Sequence, residues 1–584
     1  MRSFLKIFFA SFLALVFFVL IGVLIMFGII ASMMSDNKPY IGGKGVLVVD
    51  LTKEYKEQKS DNPINTLRGN PDDNVPGLYD VVRMIAYAKK DSSIKGIYIK
   101  CDDNANGFAA SEELRSALAD FKQSRKFVIA FGDVISQKAY YVASVADKLY
   151  CNPKGMVDWR GLASTLLFLK GALEKLEIEP QIFYAGKFKS ATEPLRAYQM
   201  TEPNRIQTSV YLNDLYSRLL LSAAEKSKLD TARLHQLANT GAVQTASDAV
   251  TYRLIDGLRY DDEVKNEIIK NIKIDPTDKI NFITLGRYAK AVDFTPNGGD
   301  RIAIIYAEGQ IMNGKGQEGT IGSDEYKNLI RKVRLDKNIK AIVFRVNSPG
   351  GDALASEEIW REISIAKKAK PVVVSFGDVA ASGGYYIACN ADSIFAQANT
   401  ITGSIGVFGI IPNMKKFLNN KLGITFDGVK TGPFADMPSA IRPLNVAEKK
   451  LIQNTIDTIY TTFKSRVAEG RKLALEAVDS IAQGRVWTGQ RALQIGLVDR
   501  LGNINDAVAS AARMSKSKEY TLREYPEKKN FIEDFLRNYK EDVKTATIKE
   551  EIGEEQYLIL QQLKNIRKMI AVPQARLPFE VSIR

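Results

Sequence analysis

Histidine is nearly missing from this chain. A single residue, His235, serves all 584 positions, so a Ser-His-Asp triad would have to use it. It lies in 231-TARLHQLANTG-241, an amphipathic stretch that ends at Gly241 and carries no motif. It reads as a helix-surface residue, not as a catalytic base. Cysteine is scarce as well. Cys101, Cys151 and Cys389 are too few, and odd in number, for a disulfide framework, and no CxxC pair exists to hold zinc. Buried structural thiols are the expected reading, with no metal and no cofactor. Runs of one charge are lacking too. The net charge is +14, but lysines alternate with acids, as in 261-DDEVKNEIIKNIKIDPTDK-279. With no zinc-finger or other nucleic-acid motif, a nucleic-acid partner is not expected, and solvated surfaces beside a membrane are. At 45% hydrophobic and 25% charged residues the composition is that of a globular protein. The length calls for more than one core.

What is present begins with an uncharged run, 7-IFFASFLALVFFVLIGVLIMFGIIASMM-34. A spanning helix needs ~20 apolar residues, whereas the apolar region of a cleaved signal has only ~7–15. Arg2 and Lys6 precede the run, which favours a cytoplasmic N-terminus at 1–6 and a transmembrane anchor at 7–34. The rest of the chain would lie on the periplasmic, extracytoplasmic side of a bacterial cytoplasmic membrane. A cleaved signal peptide is the alternative.

The chain repeats itself. Nine of 17 positions are identical between 131-FGDVISQKAYYVASVAD-147 and 376-FGDVAASGGYYIACNAD-392. The same offset of 245 positions aligns 95-KGIYIKCDDNANGFAASEEL-114 with 340-KAIVFRVNSPGGDALASEEI-359, Met156 with Ile401, and Thr201 with Val446. One offset held over about a hundred residues marks a tandem duplication. Apolar β-rich runs (302-IAIIYAEG, 341-AIVFRV, 372-VVVSFGD) alternate with helical patterns at 354–369 and 446–471. The expected fold is therefore α/β, with parallel strands covered by helices. The first repeat is placed at 45–290 and the second at 298–515. The joint is 293-DFTPNGGD-300, and a charged, helix-patterned tail without assigned chemistry fills 516–584.

Chemistry is sought where the copies part ways. Ser382 of Ala381-Ser382-Gly383-Gly384 faces Gln137, while the flanks FGDV and YY are retained. A serine on a strand-to-helix turn presents its hydroxyl beside a helix N-terminus, although an N-cap serine would look the same. The second copy also has 347-NSPGGDA-353, whose glycine pair could aim backbone N–H groups into one concavity; the first copy has 102-DDNANGF-108 instead. Serine needs a base. With histidine so rare, lysine is the candidate, provided burial holds it neutral. Bringing a lysine from ~10.4 to the ~7–8 that suits a base costs about 4 kcal/mol. The first copy offers 183-FYAGKFKSATEPL-195, for which the second, with 426-FDGVKTGPFADMPSA-440, has no partner lysine. Residue types and spacing alone do not choose between Lys187 and Lys189.

The segments 186-GKFKSATEPL-195, 345-RVNSPGGDALASE-357, 376-FGDVAASGGYYIA-388 and 400-TITGSIGV-407 together resemble the long, duplicated form of the signal peptide peptidase A (protease IV) family. That resemblance spans nearly the whole chain. It implies a tandem pair of Clp/crotonase-like domains built of ββα units. It implies Ser382 as nucleophile, Lys189 as general base, and an oxyanion hole from Gly350, Gly351 and Gly383. It places Ser404 near the lysine or substrate, where a buried turn serine is an equal explanation. It further implies a homotetramer acting on signal peptides left in the membrane. Two rivals from other classes remain. One is a catalytically inactive membrane scaffold, since the first copy has already lost its serine. The other is a crotonase-type acyl-CoA enzyme, since that fold shares glycine-rich oxyanion loops.

Overall fold

The computed structural model describes residues 2–33, 38–58, 75–295, 298–317, 319–527 and 572–577. Arg2–Met33 is one helix of 32 residues. Its side chains described from Phe4 to Leu24 are exposed. Among the residues described in full, no helix is long and apolar enough to cross a membrane. Met34, the last residue of the expected anchor, lies outside the described residues, as do Pro296 and Asn297 of the expected joint.

Each repeat has its own sheet. In the first, Gly257–Leu258, Lys148–Val157, Phe127–Ile135, Ile94–Lys100, Gly45–Asp50 and Phe282–Thr284 lie side by side, all parallel. In the second, the order is Val486–Thr488, Ile401–Gly403, Val372–Ala381, Ile339–Ser348, Asp300–Glu308 and Tyr520–Tyr525. Only the first of these pairs is antiparallel. The α/β expectation is met for the physical reason anticipated. Runs such as Ile339–Ser348 are buried on both faces, as strands covered by helices must be. The duplication extends to register: Val134 pairs with Met156 in the first sheet, and Val379 with Ile401, 245 positions on, in the second.

Helix boundaries follow capping chemistry. Ala353–Ala369 starts where the Asp352 carboxylate accepts from the Ala355 N–H at 2.8 Å, and it ends on Lys367 and Lys368. Val446–Arg471 opens with a capping box between Asn445 and Glu448.

A third, mixed sheet joins the copies. Its order is Thr320–Gly322, Gln310–Met312, Gly350–Asp352, Gln574–Arg576, Val407–Asn413 and Glu179–Ala185. Glu179–Ala185 comes from the first repeat and runs antiparallel to Val407–Asn413 of the second, from Val407↔Ala185 to Asn413↔Glu179. This sheet also changes the picture of the tail. Tyr520–Tyr525 is an edge strand of the second repeat, so that repeat's sheet extends past 515. Gln574–Arg576 is a strand in the joining sheet. Both described parts of the tail are thus strands instead of helices, because each finds an open strand edge to pair with. The helix-patterned stretch 550–570 lies outside the described residues.

The copies are also joined by charge. Arg345, 1% exposed, donates to Glu57 and Glu113 of the first repeat at 2.7 Å each, and to Ser375 Oγ and the Phe376 carbonyl at 2.9 Å. Asp378 reaches back to accept from the backbone N–H groups of Ala109 and Ala110 at 2.8 and 3.0 Å.

Candidate active site

Ser382 sits between the strand Val372–Ala381 and the short helix Gly383–Tyr386. Its backbone has φ 54° and ψ −115°, a strained turn for a side chain with a Cβ. Such strain costs about 1–3 kcal/mol and persists only where the surroundings impose it. Here the Ser382 N–H is held by the Gly403 carbonyl at 2.8 Å. A sharp strand-to-helix turn of this kind presents a nucleophile's hydroxyl. The competing N-cap role fails, because the Ser382 side chain makes no capping bond. In the first copy Ser136 does cap its helix, accepting from Ala139 N–H. There Gln137 fills the position equivalent to Ser382. Its amide bonds the backbone of Arg160 and Gly161 and leaves no nucleophile.

The register of Glu179–Ala185 on Val407–Asn413 brings the next few residues of each strand's flank together. Gly186 to Lys189 leave one strand where Ser404 to Gly406 enter the other. Lys189 Nζ accordingly lies 2.9 Å from Ser382 Oγ, 3.0 Å from Ser404 Oγ and 3.1 Å from the Ser404 carbonyl oxygen, all within one chain. Ser382 and Ser404 are 0% exposed and Lys189 is 1% exposed. Burial alone pushes the Lys189 ammonium well below the ordinary lysine value. Lys187, two residues away, is exposed and lies over the Phe188 ring. Lys187→Ala is expected to leave kcat/KM within about twofold, the scale of a surface change of ±0.5 kcal/mol; a peptide-cleavage assay checks this, and a loss matching that of Lys189 variants would reassign the lysine.

The glycines divide. Gly350, at φ +93°, is required by its conformation. A Cβ on it would lie 2.6 Å from the Gly383 nitrogen and 2.1 Å from the Ala575 carbonyl oxygen. The Gly383 N–H is the first of a helix and has no partner within it. The Gly350 N–H already donates to Ser348 Oγ at 3.2 Å. Gly351 is a ladder residue paired with Ile311 and Ala575. The structure therefore brings Gly350 and Gly383 together and sets Gly351 into the sheet beside them.

Two positioning residues carry no motif that sequence reading could use. Gln207, 2% exposed, donates to the Phe188 carbonyl at 3.1 Å and to Ser190 Oγ at 2.9 Å, and accepts from the Val486 N–H at 3.1 Å. It clamps the lysine loop to the second repeat. Gly484 has φ +72°, and a Cβ there would stand 2.7 Å from Lys189 N and Cβ. Gly484→Ala must push the lysine aside, and a displacement of ~1 Å at reacting groups costs on the order of 10²-fold. The expected outcome is a fall of that size in kcat/KM with the fold retained by circular dichroism. Full activity in this variant would show that the loop has slack.

His235 is exposed on the helix Thr231–Asn239, where its Nε2 meets Asn239 Nδ2 at 3.0 Å. The three cysteines are buried and unpaired with one another. Among the described residues no cluster of histidine, cysteine or acidic side chains is arranged to hold a metal.

Comparison with known proteins now has a site to refer to. The model of Peptidase family S49 matches this chain twice, at residues 120–275 and 364–518. The chain is 35% identical to "Protease 4" of Salmonella typhi, over 89% of this chain and 85% of that protein. It is 34% identical to the chloroplastic "Serine protease SPPA" of Arabidopsis thaliana, over 77% of this chain and 68% of that one. A "Putative signal peptide peptidase SppA" of Enterococcus faecium is 39% identical over 34% of this chain and 57% of its own length. With both copies matched and a relative alike along most of its length, the chain belongs to Peptidase family S49 and is a serine peptidase.

Proposed function

We propose that this peptidase works with a Ser/Lys dyad, Ser382 as nucleophile and Lys189 as general base. The observation that carries the reading is the fully buried lysine nitrogen 2.9 Å from the serine oxygen. A neutral amine has two N–H donors and one lone pair. Its donors suit the Ser404 carbonyl and hydroxyl oxygens, at 3.1 and 3.0 Å, which leaves the lone pair for the Ser382 proton. Ser404 thus orients the base. As Ser382 Oγ attacks a peptide carbonyl, its proton passes to Lys189. The Gly383 backbone N–H, the first of its helix, would receive the developing oxyanion beside Gly350. The peptide C–N bond breaks and Lys189 returns the proton to the leaving amine. Water then gives its proton to the same lysine and attacks the acyl-enzyme; the ester C–O bond breaks, and Lys189 returns that proton to Ser382 Oγ.

The apolar N-terminal helix supports a membrane anchor, with both repeats on the extracytoplasmic side of a bacterial cytoplasmic membrane. An enzyme held there suits apolar peptides emerging from the bilayer, cleaved signal peptides foremost, and we place it in a homotetramer of Clp/crotonase-like domains. A fluorophosphonate probe tests the chemistry. The unmodified chain is expected to be labelled, and Ser382→Ala is expected to lose the label while keeping its fold. A chain never labelled, and inert toward apolar peptides, would return the scaffold reading.

A further inference from the structure

One helix of the first repeat, Phe108–Lys122, touches the three segments of the second repeat that lead to Gly350, Ser382 and Ser404. Asp378 accepts from its Ala109 and Ala110 N–H groups at 2.8 and 3.0 Å. Asp378 lies on the strand Val372–Ala381, so only Val379 to Ala381 separate it from Ser382. Glu113 of the same helix accepts from Arg345 at 2.7 Å, on the strand that ends at Ser348 just before Gly350. Glu112 accepts from the Asn399 N–H at 3.3 Å, just ahead of Ile401–Gly403 and Ser404.

The two copies show what is unusual in this arrangement. In the second repeat the equivalent helix, Ala353–Ala369, is capped by the residue before it, as Asp352 accepts from the Ala355 N–H at 2.8 Å. The residue 245 positions earlier is Gly107, which has no side chain with which to cap Phe108–Lys122. Asp378 takes over that task from the other repeat. Gly107 also makes room for it, because a Cβ there would stand 2.2 Å from Asp378 Cγ. Asp133, the first-repeat counterpart of Asp378, instead accepts from Asn152 Nδ2 at 2.8 Å on the exposed surface. A helix that needed only a cap could have kept its own. This one draws its cap from the strand that carries the serine.

We propose that Asp378 is a positioning residue, and that the first turns of Phe108–Lys122 are the rear support of the site, with Asp378, Glu112 and Glu113 fixing where Ser382, Ser404 and Gly350 stand. The copy without a nucleophile thereby holds the nucleophile's strand in place. The inference rests on the Ser/Lys reading for the groups that must be aligned. A tie of this kind acts on the rate at which aligned groups react more than on ligand affinity, since misplacement by ~1 Å costs on the order of 10²-fold.

The test moves the cap without removing it. In full-length Gly107→Asp/Asp378→Ala the helix regains a local cap of the Asp352 kind, and the tie to the serine strand is gone. The backbone at Gly107, with φ −69° and ψ 176°, is one that aspartate adopts. A rhodamine fluorophosphonate reads Ser382 through its maximal labelling rate, kinact, and its half-saturating concentration, KI. Asp378→Ala is expected to lower the melting temperature by about 2–4 °C and kinact by about tenfold or more, with KI within about twofold. The double variant is expected to regain the melting temperature but not kinact. Asp378→Asn, whose Oδ1 still accepts from both amides, is expected to keep kinact within about threefold of the parent. Recovery of kinact in the double variant overturns the proposal, because a helix cap alone then accounts for Asp378. Labelling of Asp378→Ala at the parental rate overturns it as well. Where a variant fails to fold, hydrogen exchange on the unmodified chain decides. Coupling between two sites is reciprocal, so acylation of Ser382 is expected to slow exchange at Ala109 and Ala110 by about twofold or more, and exchange unmoved by acylation overturns the proposal. A parent that takes no label overturns the Ser/Lys reading and this inference with it. A labelled parent with a recovered double variant overturns the inference alone.

Discussion

Lys189→Met is expected to abolish peptide hydrolysis while making the folded protein no less stable at neutral pH. Loss of the general base removes about 10²–10⁴-fold, and more where the nucleophile depends on it for deprotonation. The stability half of the result follows from burial. Lys189 is 1% exposed and burial alone depresses its pKa, so the native state holds a neutral amine where the unfolded chain holds an ammonium. Between the depressed native value and the unfolded value of ~10.4, the unfolded state binds one proton more. Stability must then rise with pH across that window, and the penalty is felt in full below the native value. Methionine fills similar volume and binds no proton. It leaves the Ser404 oxygens without a donor, at about 1–3 kcal/mol, which offsets part of the gain. The signature is therefore the slope. The difference in melting temperature between variant and parent should favour the variant most near pH 7 and shift toward the parent as pH climbs to about 10. Activity of the parent should rise with pH as Lys189 loses its proton. A variant that still cleaves peptide, or a stability difference that is flat with pH, contradicts a neutral lysine beside the serine.

Arg345→Met carries the largest expected loss of stability. The guanidinium is buried with Glu57 at 4% and Glu113 at 0% exposure, each bonded at 2.7 Å. Burial pushes the Glu113 carboxyl up to about 7 even with the arginine pulling it down. Taking away the cation strands two acids in the interface between repeats, and breaking a buried pair in this way costs about 3–5 kcal/mol. Against a typical total of roughly 5–15 kcal/mol, that is a large share. The sign with pH is opposite to that for Lys189. An acid whose native pKa is raised loses stability as pH rises, so the variant should be weakest at alkaline pH and partly relieved by protonation near pH 5. Urea unfolding at several pH values checks this. Replacing Arg345, Glu57 and Glu113 together by methionine should recover most of the loss, because the arginine's two bonded acids then leave with it. A single variant that loses under about 1 kcal/mol, against that ~3–5 kcal/mol scale, would mean that water reaches the cluster. Arg345 lies on the strand that leads into Pro349-Gly350, so damage here should also loosen the turn beside Ser382.

Much of this was legible in the residues. The offset of 245 positions exposed the duplication, and the same spacing reappears as equivalent strand pairs, since side chains that face a covered sheet must keep their period. Scarcity of histidine directed attention to lysine. Loss of the serine in one copy and of the lysine in the other marked both candidate groups. The helix pattern of the C-terminal tail was read chiefly at 550–570, outside the described residues. Tyr520–Tyr525 and Gln574–Arg576 are instead drafted as strands by edges that lie far away in sequence. Gln207 and Gly484 could not be found at all. An amide on a long helix and a glycine in a turn have no signature until the loop they support is seen.

From its sequence alone this protein reads as two α/β copies with a single histidine between them, in which Ser382 and Lys189 stand in different halves. Local patterning and internal comparison suffice for that, because both are properties of segments. Only the tertiary structure decided that Lys189, with Lys187 at the surface, stands 2.9 Å from Ser382 within one chain, and that the chain's own C-terminal strand lies across the neighbouring glycines. The physical reason is that both facts depend on strand register between segments some two hundred residues apart. A register is chosen by the summed pairing and burial of the whole sheet, and no stretch of either partner encodes it.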